Sequence, residues 1–292
     1  MTITIDKADK IFFPEAGFTK GDLANYYRRI APIMQRYVAE RPVTLHRFPD
    51  GIAGTPQFIQ KTVADHYPDW IARVRVATED DTIIQPVIDS ADTLVYFADQ
   101  GAIVFHVPLA RAGALDKPDR LIFDLDPPDD GTDFAPVVAA ARAVRKALAD
   151  VGLVSYVMTT GSSGLHVAVP LDASAGFDRV RGFAQNMAEA IAADHPDDFT
   201  TAHAKDKRRG RLYLDVARNA VNQTGVAPYS VRAKPGAPIA TPLAWDELGD
   251  SDLGPRRWHI GNIFRRLGQR DCPWADIDNH RQRIDKAIAQ SV

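Results

Sequence analysis

The chain has 292 residues, 45% of them hydrophobic and 25% charged, with a formal net charge of -3. That length permits one large domain or two fused lobes. No apolar run is long enough to span a bilayer, MTITIDKADK is not a secretory signal, and the single Cys272 excludes a disulfide framework or a multi-cysteine zinc site; a cytoplasmic protein is expected.

Near-neutral charge argues against a uniformly basic nucleic-acid binder, but the charges are segregated. KDKRRGRLYLDVAR at 205–218 holds six basic residues against two acids, and GPRRWHIGNIFRRLGQR at 254–270 holds five arginines and no acid. The acids gather in TEDD (78–81), PPDDGTD (127–133) and DHPDD (194–198). A basic channel on a mildly acidic body fits this separation; two solvated faces fit it as well.

In chain order, a strand at ITI is followed by the turn PEAGFTKGD. Thr19 caps a helix through about Val38, with an apolar stripe of Leu23, Tyr26, Tyr27, Ile30, Ile33 and Tyr37. Short strands follow at 43–48, 57–61, 71–76, 83–84, 93–97 and 101–109, a pattern of mainly antiparallel sheet. After a strand at 120–126, a helical stripe of Val137, Ala141, Val144 and Leu148 runs to Gly152. LVSYVMT and LHVAVP flank the turn TGSSG; then come a helix near 177–193, with Phe183, Met187, Ala190 and Ile191 on one side, and a strand at 211–217. Strand–helix–strand–strand–helix–strand is a split βαβ order. The expectation is one compact α+β body: a sheet lobe to about 115, a catalytic lobe at about 116–245 and a C-terminal segment at 246–292, with the active site between the lobes.

LIFDLDPPDDG at 121–131 raises the chemical question. The period of a strand puts Asp124 and Asp126 on one face and Phe123 and Leu125 on the other. In LYLDVA, Asp215 likewise sits opposite Leu214 and Val216. Three convergent carboxylates repel unless a hard, oxygen-seeking cation such as Mg2+ or Mn2+ joins them. The ordinary alternative is the solvent face of an edge strand beside an arginine.

TTGSSGLHVAVP at 159–170 is a second constellation. Gly161 and Gly164 permit a tight turn that cradles an anion with backbone N–H groups and the hydroxyls of Ser162 and Ser163, and His166 can donate to a phosphate. His106 sits similarly among apolar neighbours in AIVFHVPL, where a structural role is the commoner one. Arg218, Ser230 and Arg232 add polar groups, Arg232 as a bidentate phosphate clamp. Lys61 can touch a template phosphate while Phe58 stacks on a base or packs in the core.

DLDP at 124–127, TGSSGLH at 160–166 and YLD at 213–215 resemble the three motifs of archaeo-eukaryotic primase-type polymerases. More narrowly, with PEAGFTKGDLANYY, RPVTLHRFPDGIAG, FHVPL and VAPYSVRAKPGAPIATPLAWDEL, the chain resembles the polymerase domain of bacterial ligase D. That resemblance implies a primase-polymerase fold with an RNA-recognition-motif-like core and a flanking sheet lobe. It implies Asp124, Asp126 and Asp215 as ligands of two divalent ions, Mn2+ or Mg2+. It also implies nucleotide contacts from His106, Thr160, Ser162, Ser163, Gly164, His166, Arg218, Ser230 and Arg232, and DNA contacts from Lys20, Phe58 and Lys61. The implied activity is template-directed addition of nucleoside triphosphates, NTP or dNTP with a ribonucleotide preference, at gapped or recessed DNA ends bearing a 5′-phosphate. The setting is non-homologous end joining in the nucleoid, with Ku and a DNA ligase as partners. The sequence departs from that pattern at Ser163, often a lysine, at Ile59, commonly a second aromatic, and at Arg218, frequently a glutamine or another arginine; Arg218 and Lys207 are the candidates to compensate for the missing lysine. A metal-dependent nuclease and a non-catalytic end-binding module are the competing readings.

Overall fold

The computed structural model describes residues 3–78, 81–128 and 133–290. Parts of two acidic segments, Glu79, Asp80 and residues 129–132, lie outside the described residues.

In chain order the elements are β1 (Ile11–Phe13), β2 (Phe18–Thr19), α1 (Lys20–Val38), β3 (Thr44–Arg47), β4 (Phe58–Gln60), β5 (Arg73–Ala77) and β6 (Thr82–Pro86). There follow α2 (Ala91–Asp99), β7 (Ala102–Pro108), β8 (Arg120–Asp126), α3 (Ala135–Asp150), β9 (Tyr156–Thr159), β10 (Leu165–Pro170) and α4 (Phe177–Asp194). The last are β11 (Phe199–Thr200), α5 (Lys205–Arg208), β12 (Leu212–Asp215), β13 (Thr224–Val226), β14 (Pro242–Leu243), α6 (Ile263–Leu267) and α7 (Asp285–Gln290). Two compact units divide them. One comprises Met1–Gly113, Thr224–Ala240 and Trp258–Arg270; the other comprises Ala114–Gln223, Thr241–Arg257 and Asp271–Val292.

In the first unit a four-stranded antiparallel sheet runs β13-β7-β3-β4, leaving β4 at an edge. Thr19 caps α1 as expected: its hydroxyl accepts from the Asp22 N–H, and the Asp22 carboxylate accepts the Thr19 N–H in return. The buried stripe of α1 includes Met34, while Ile33 is only half-buried. Tyr26 and Tyr27 carry hydroxyls into this core, donating to the carbonyls of Tyr229 and Ile103, 2.6 Å each.

Two expectations fail here. The strand expected at 3–5 falls on IFF, because Phe12 and Phe13 are fully buried whereas Thr4 is exposed. Residues 93–97 are helix, not strand. Their β-branched and aromatic composition favours a strand, but Ser90 caps the Thr93 N–H and starts α2, which buries Leu94, Val95, Phe97 and Ala98, partly against α1.

The second unit is a six-stranded mixed sheet in the order β11-β12-β8-β10-β9-β14, with α3 and α4 packed on it. β8, β9, β10 and β12 with α3 and α4 reproduce the split βαβ order. Their spatial order, β12-β8-β10-β9, is antiparallel throughout. The α3 stripe is buried as expected, but on α4 Ala184 and Ala188 are buried and Ala190 is exposed. Among the described residues no helix is long and apolar enough to cross a membrane.

Candidate active site

β8 lies between β10 and β12, so it is an interior strand, which removes the edge-strand reading. Leu121, Phe123 and Leu125 are fully buried, and the alternate positions carry Asp124 and Asp126. The register with β12 sets Asp215 directly opposite Asp124 and Tyr213 opposite Asp126. One carboxylate oxygen from each acid lies within 4.8 Å of the others. Asp124 and Asp215 are buried and Asp126 is half-buried.

Crowding has an electrostatic cost. The Asp126 carboxyl is pushed up to about 6, first by burial and then by the charges of Asp124 and Asp215, against the opposing pull of Arg208 and Arg218. Hard oxygen donors, partial burial and unfavourable mutual charge are the donor chemistry of a divalent-cation site, so this triad can hold a divalent metal ion.

The sequence did not reveal what holds the triad. Asn219 is fully buried; its Oδ1 accepts the Ile122 N–H at 2.9 Å and its Nδ2 donates to the Ile122 and Val216 carbonyls at 2.7 and 2.9 Å. That clasp fixes the chain after β12 to β8. Asp215 accepts from the Ala217 N–H at 2.8 Å and from the Tyr213 hydroxyl at 3.2 Å. The Arg208 guanidinium stands 4.1 Å from the Tyr213 ring centre, and Arg218 Nε is 3.7 Å from Asp124 Oδ2.

The 160–164 turn lies against the same strand. Gly164 leaves no room for a side chain: a Cβ there would sit 2.1 Å from the Leu125 carbonyl oxygen. Gly161 takes the left-handed backbone, φ +67°, that glycine accepts freely. The Thr160 hydroxyl donates to the Gly164 carbonyl and accepts the N–H groups of Ser162 and Gly164, so it organises the turn from within. Only the amides of Gly161 and Ser163 are left without a partner among the described residues. His166 is in register with Asp124, its Nε2 3.3 Å from Asp124 Oδ1, and its buried Nδ1 has no hydrogen-bond partner among the described residues.

The first unit carries the other candidates. His106 stacks on His46, ring centres 4.4 Å apart. His46 is held below the usual imidazole range by burial and then by the charge of Arg232. VTLHRF contained His46, but only the β3–β7 pairing shows that it meets His106. Ser230 is fully buried; its hydroxyl accepts the Phe105 N–H and donates to the Val231 carbonyl, a structural task two residues before Arg232.

Lys20 is buried, paired with Asp99 at 2.7 Å and donating to the Asp6 carbonyl. It lines a cavity of about 450 Å3 with Lys7, Lys10, Arg47, Asp50 and Asp99. Of its bases, Lys7, Lys10 and Arg47 carry no local motif that marks them in the sequence. On edge strand β4, Phe58 is 41% and Ile59 62% exposed, which rules out core packing for Phe58. Lys61 follows in the open, without a partner among the described residues.

These features have close counterparts. A family profile described as "LigD, primase-polymerase domain" matches residues 19–274. The multifunctional non-homologous end joining DNA repair protein LigD of Mycobacterium tuberculosis is 37% identical over 97% of this chain, and that of Pseudomonas aeruginosa is 33% identical over 99%. The match takes up 39% and 34% of the lengths of those proteins, so the chain spans well under half of the curated relatives it matches. Among solved structures, the polymerase domain of Mycobacterium tuberculosis ligase D in complex with DNA superimposes with a TM-score of 0.89 at 34% identity, covering 96% of this chain and 99% of that one. Fold and acid triad thus define a chain of the primase-polymerase class. It belongs to the family of LigD primase-polymerase domains, and the expected α+β architecture with mixed sheets and flanking helices is the one found.

Proposed function

We propose that this chain is a template-directed nucleotidyltransferase that adds nucleoside triphosphates, preferentially ribonucleotides, to a 3′-hydroxyl at gapped or recessed DNA ends during end joining. The observation that supports this most is the meeting of Asp124, Asp126 and Asp215 beside an anion-accepting turn on one sheet. Those three carboxylates would hold Mg2+ or Mn2+. Bound there, the cation supplies charge neutralisation at the phosphates and acidifies the attacking hydroxyl.

The protein's own groups do the positioning. Asn219 keeps β12 in register so that the acids converge. His166, its Nε2 beside Asp124, is the side chain assigned to the triphosphate, and the amides of Gly161 and Ser163 are further donors for it. Arg232 is the cation assigned to the nucleotide in this group, with His46 and the His106 ring stacked on it as polar contacts. Phe58 provides an exposed ring for a template base and Lys61 a charge for its backbone. The cavity around Lys20 suits a 5′-phosphate, which would take over cations now turned toward Asp50 and Asp99. Ku and a DNA ligase are the proposed protein partners.

The test is extension of gapped, 5′-phosphorylated DNA with each NTP and dNTP set, in Mg2+ and separately in Mn2+. D124A or D126A should cut extension on the order of a thousandfold while DNA binding persists. Undiminished extension by either variant, or DNA cleavage without triphosphates, would contradict the reading.

A further inference from the structure

The 160–164 turn carries no charged side chain, and Thr160 already takes two of its amides. A triphosphate brings several negative charges to it. One cation reaches this turn from 94 residues away: Arg256 donates from Nε to the Ser162 carbonyl at 2.8 Å.

Arg256 is held in place by a local strut. The Asp250 carboxylate accepts the Arg257 guanidinium at 2.5 Å and the Asp252 N–H at 3.0 Å. Two backbone turns, Leu253 N–H to the Asp250 carbonyl and Arg257 N–H to the Gly254 carbonyl, complete the segment. The Asp252 amide, and then Arg257, keep the Asp250 carboxyl below the usual carboxylate range, so the strut stays charged. Arg256 itself is exposed and meets no acid among the described residues. Its Nε is engaged, and the two terminal amino groups of a planar fork remain for a second, bidentate contact.

We infer that Arg256 is a phosphate-binding and turn-positioning residue of the nucleotide site. Its Nε fixes the Ser162 carbonyl, and its amino groups present to the triphosphate the positive charge that the turn lacks. This rests on the polymerase reading above. A bland alternative is a surface tie that only closes the turn, and the two differ in whether the charge matters.

The experiment is steady-state extension of gapped DNA by the full chain, with KM for NTP and kcat read separately and folding followed by thermal melting. R256A should raise KM about tenfold to a hundredfold, the range for losing a hydrogen bond to a charged partner, and change kcat far less. R256Q keeps an N–H donor for the carbonyl without the charge, and its KM should stay high. Adding S163K to R256A puts a cation back in the turn and should recover most of the loss. A KM within twofold of wild type in R256A, or restored by R256Q, overturns the inference. Should R256A melt early, R256Q decides alone. If wild-type protein neither extends primers nor binds NTP, the polymerase reading falls and takes this assignment with it.

Discussion

In the six-stranded sheet three carboxylates meet within 4.8 Å, and their repulsion and burial are only partly offset by arginines at the rim. Around the cavity of the first unit the cations are matched internally: Lys20 has Asp99, Lys10 has Asp50, and Arg47 donates to the Gln100 carbonyl and to Gln60. The acid triad is an incomplete charge set that a cation completes. The basic cavity binds an anion only by exchanging partners, so its occupant must compete with carboxylates already there. Strong, metal-linked function is therefore expected of the first region, and weaker, salt-sensitive association of the second.

Short of removing an acid, the contrast can be broken most severely at Gly164. In Gly164→Ala the new Cβ would drive the turn off the Leu125 carbonyl. Stability should fall by about 1–3 kcal/mol from overpacking, and extension by on the order of a hundredfold from displaced phosphate contacts. Denaturant melts and extension assays read the two effects separately. A change on the other surface should spare chemistry. Phe58→Ala should weaken binding to gapped DNA by about 1–3 kcal/mol, the worth of one base stack, with little change in melting temperature because the ring lies on an edge strand and meets only the Arg47 guanidinium at 5.1 Å among the cation–ring contacts; fluorescence anisotropy measures it.

A smaller effect sharpens the comparison through pH. Asp126 binds its proton in the folded chain at about 6, above the ordinary carboxylate value of 3.8. The folded state therefore holds the extra proton between those values, and metal-free stability from this group is full below about pH 4 and lost as pH rises through 6. Thermal melts across pH 4–7 should show that decline without metal, and Asp126→Asn should remove it.

What the sequence made legible was local. The alternation in LIFDLD and LYLDVA, the Thr19 cap and the glycines of the turn are short-range patterns whose physics is complete within a few residues. At 91–99 the β-branched and aromatic composition points to a strand, while the single cap at Ser90 is the one local signal for the helix found. The clasp of Asn219 on Ile122, the His46–His106 stack and the reach of Arg256 to Ser162 span 97, 60 and 94 residues, and no local period encodes them. The family resemblance points Lys20 toward DNA, yet its ion pair with Asp99 emerges only when α1 packs beside α2. Phe58 could not be assigned to core or surface until β4 proved to be an edge strand.

The triad's need for a cation is tested most directly by manganese titration of the chain, read as loss of the free-ion electron paramagnetic resonance signal. Wild-type protein should suppress that signal in proportion to its concentration, more strongly near pH 7 than at pH 5. Asp124→Asn and Asp126→Asn should leave it nearly intact. Equal suppression by all three proteins would show that the ion sits elsewhere and that these acids do not form its site.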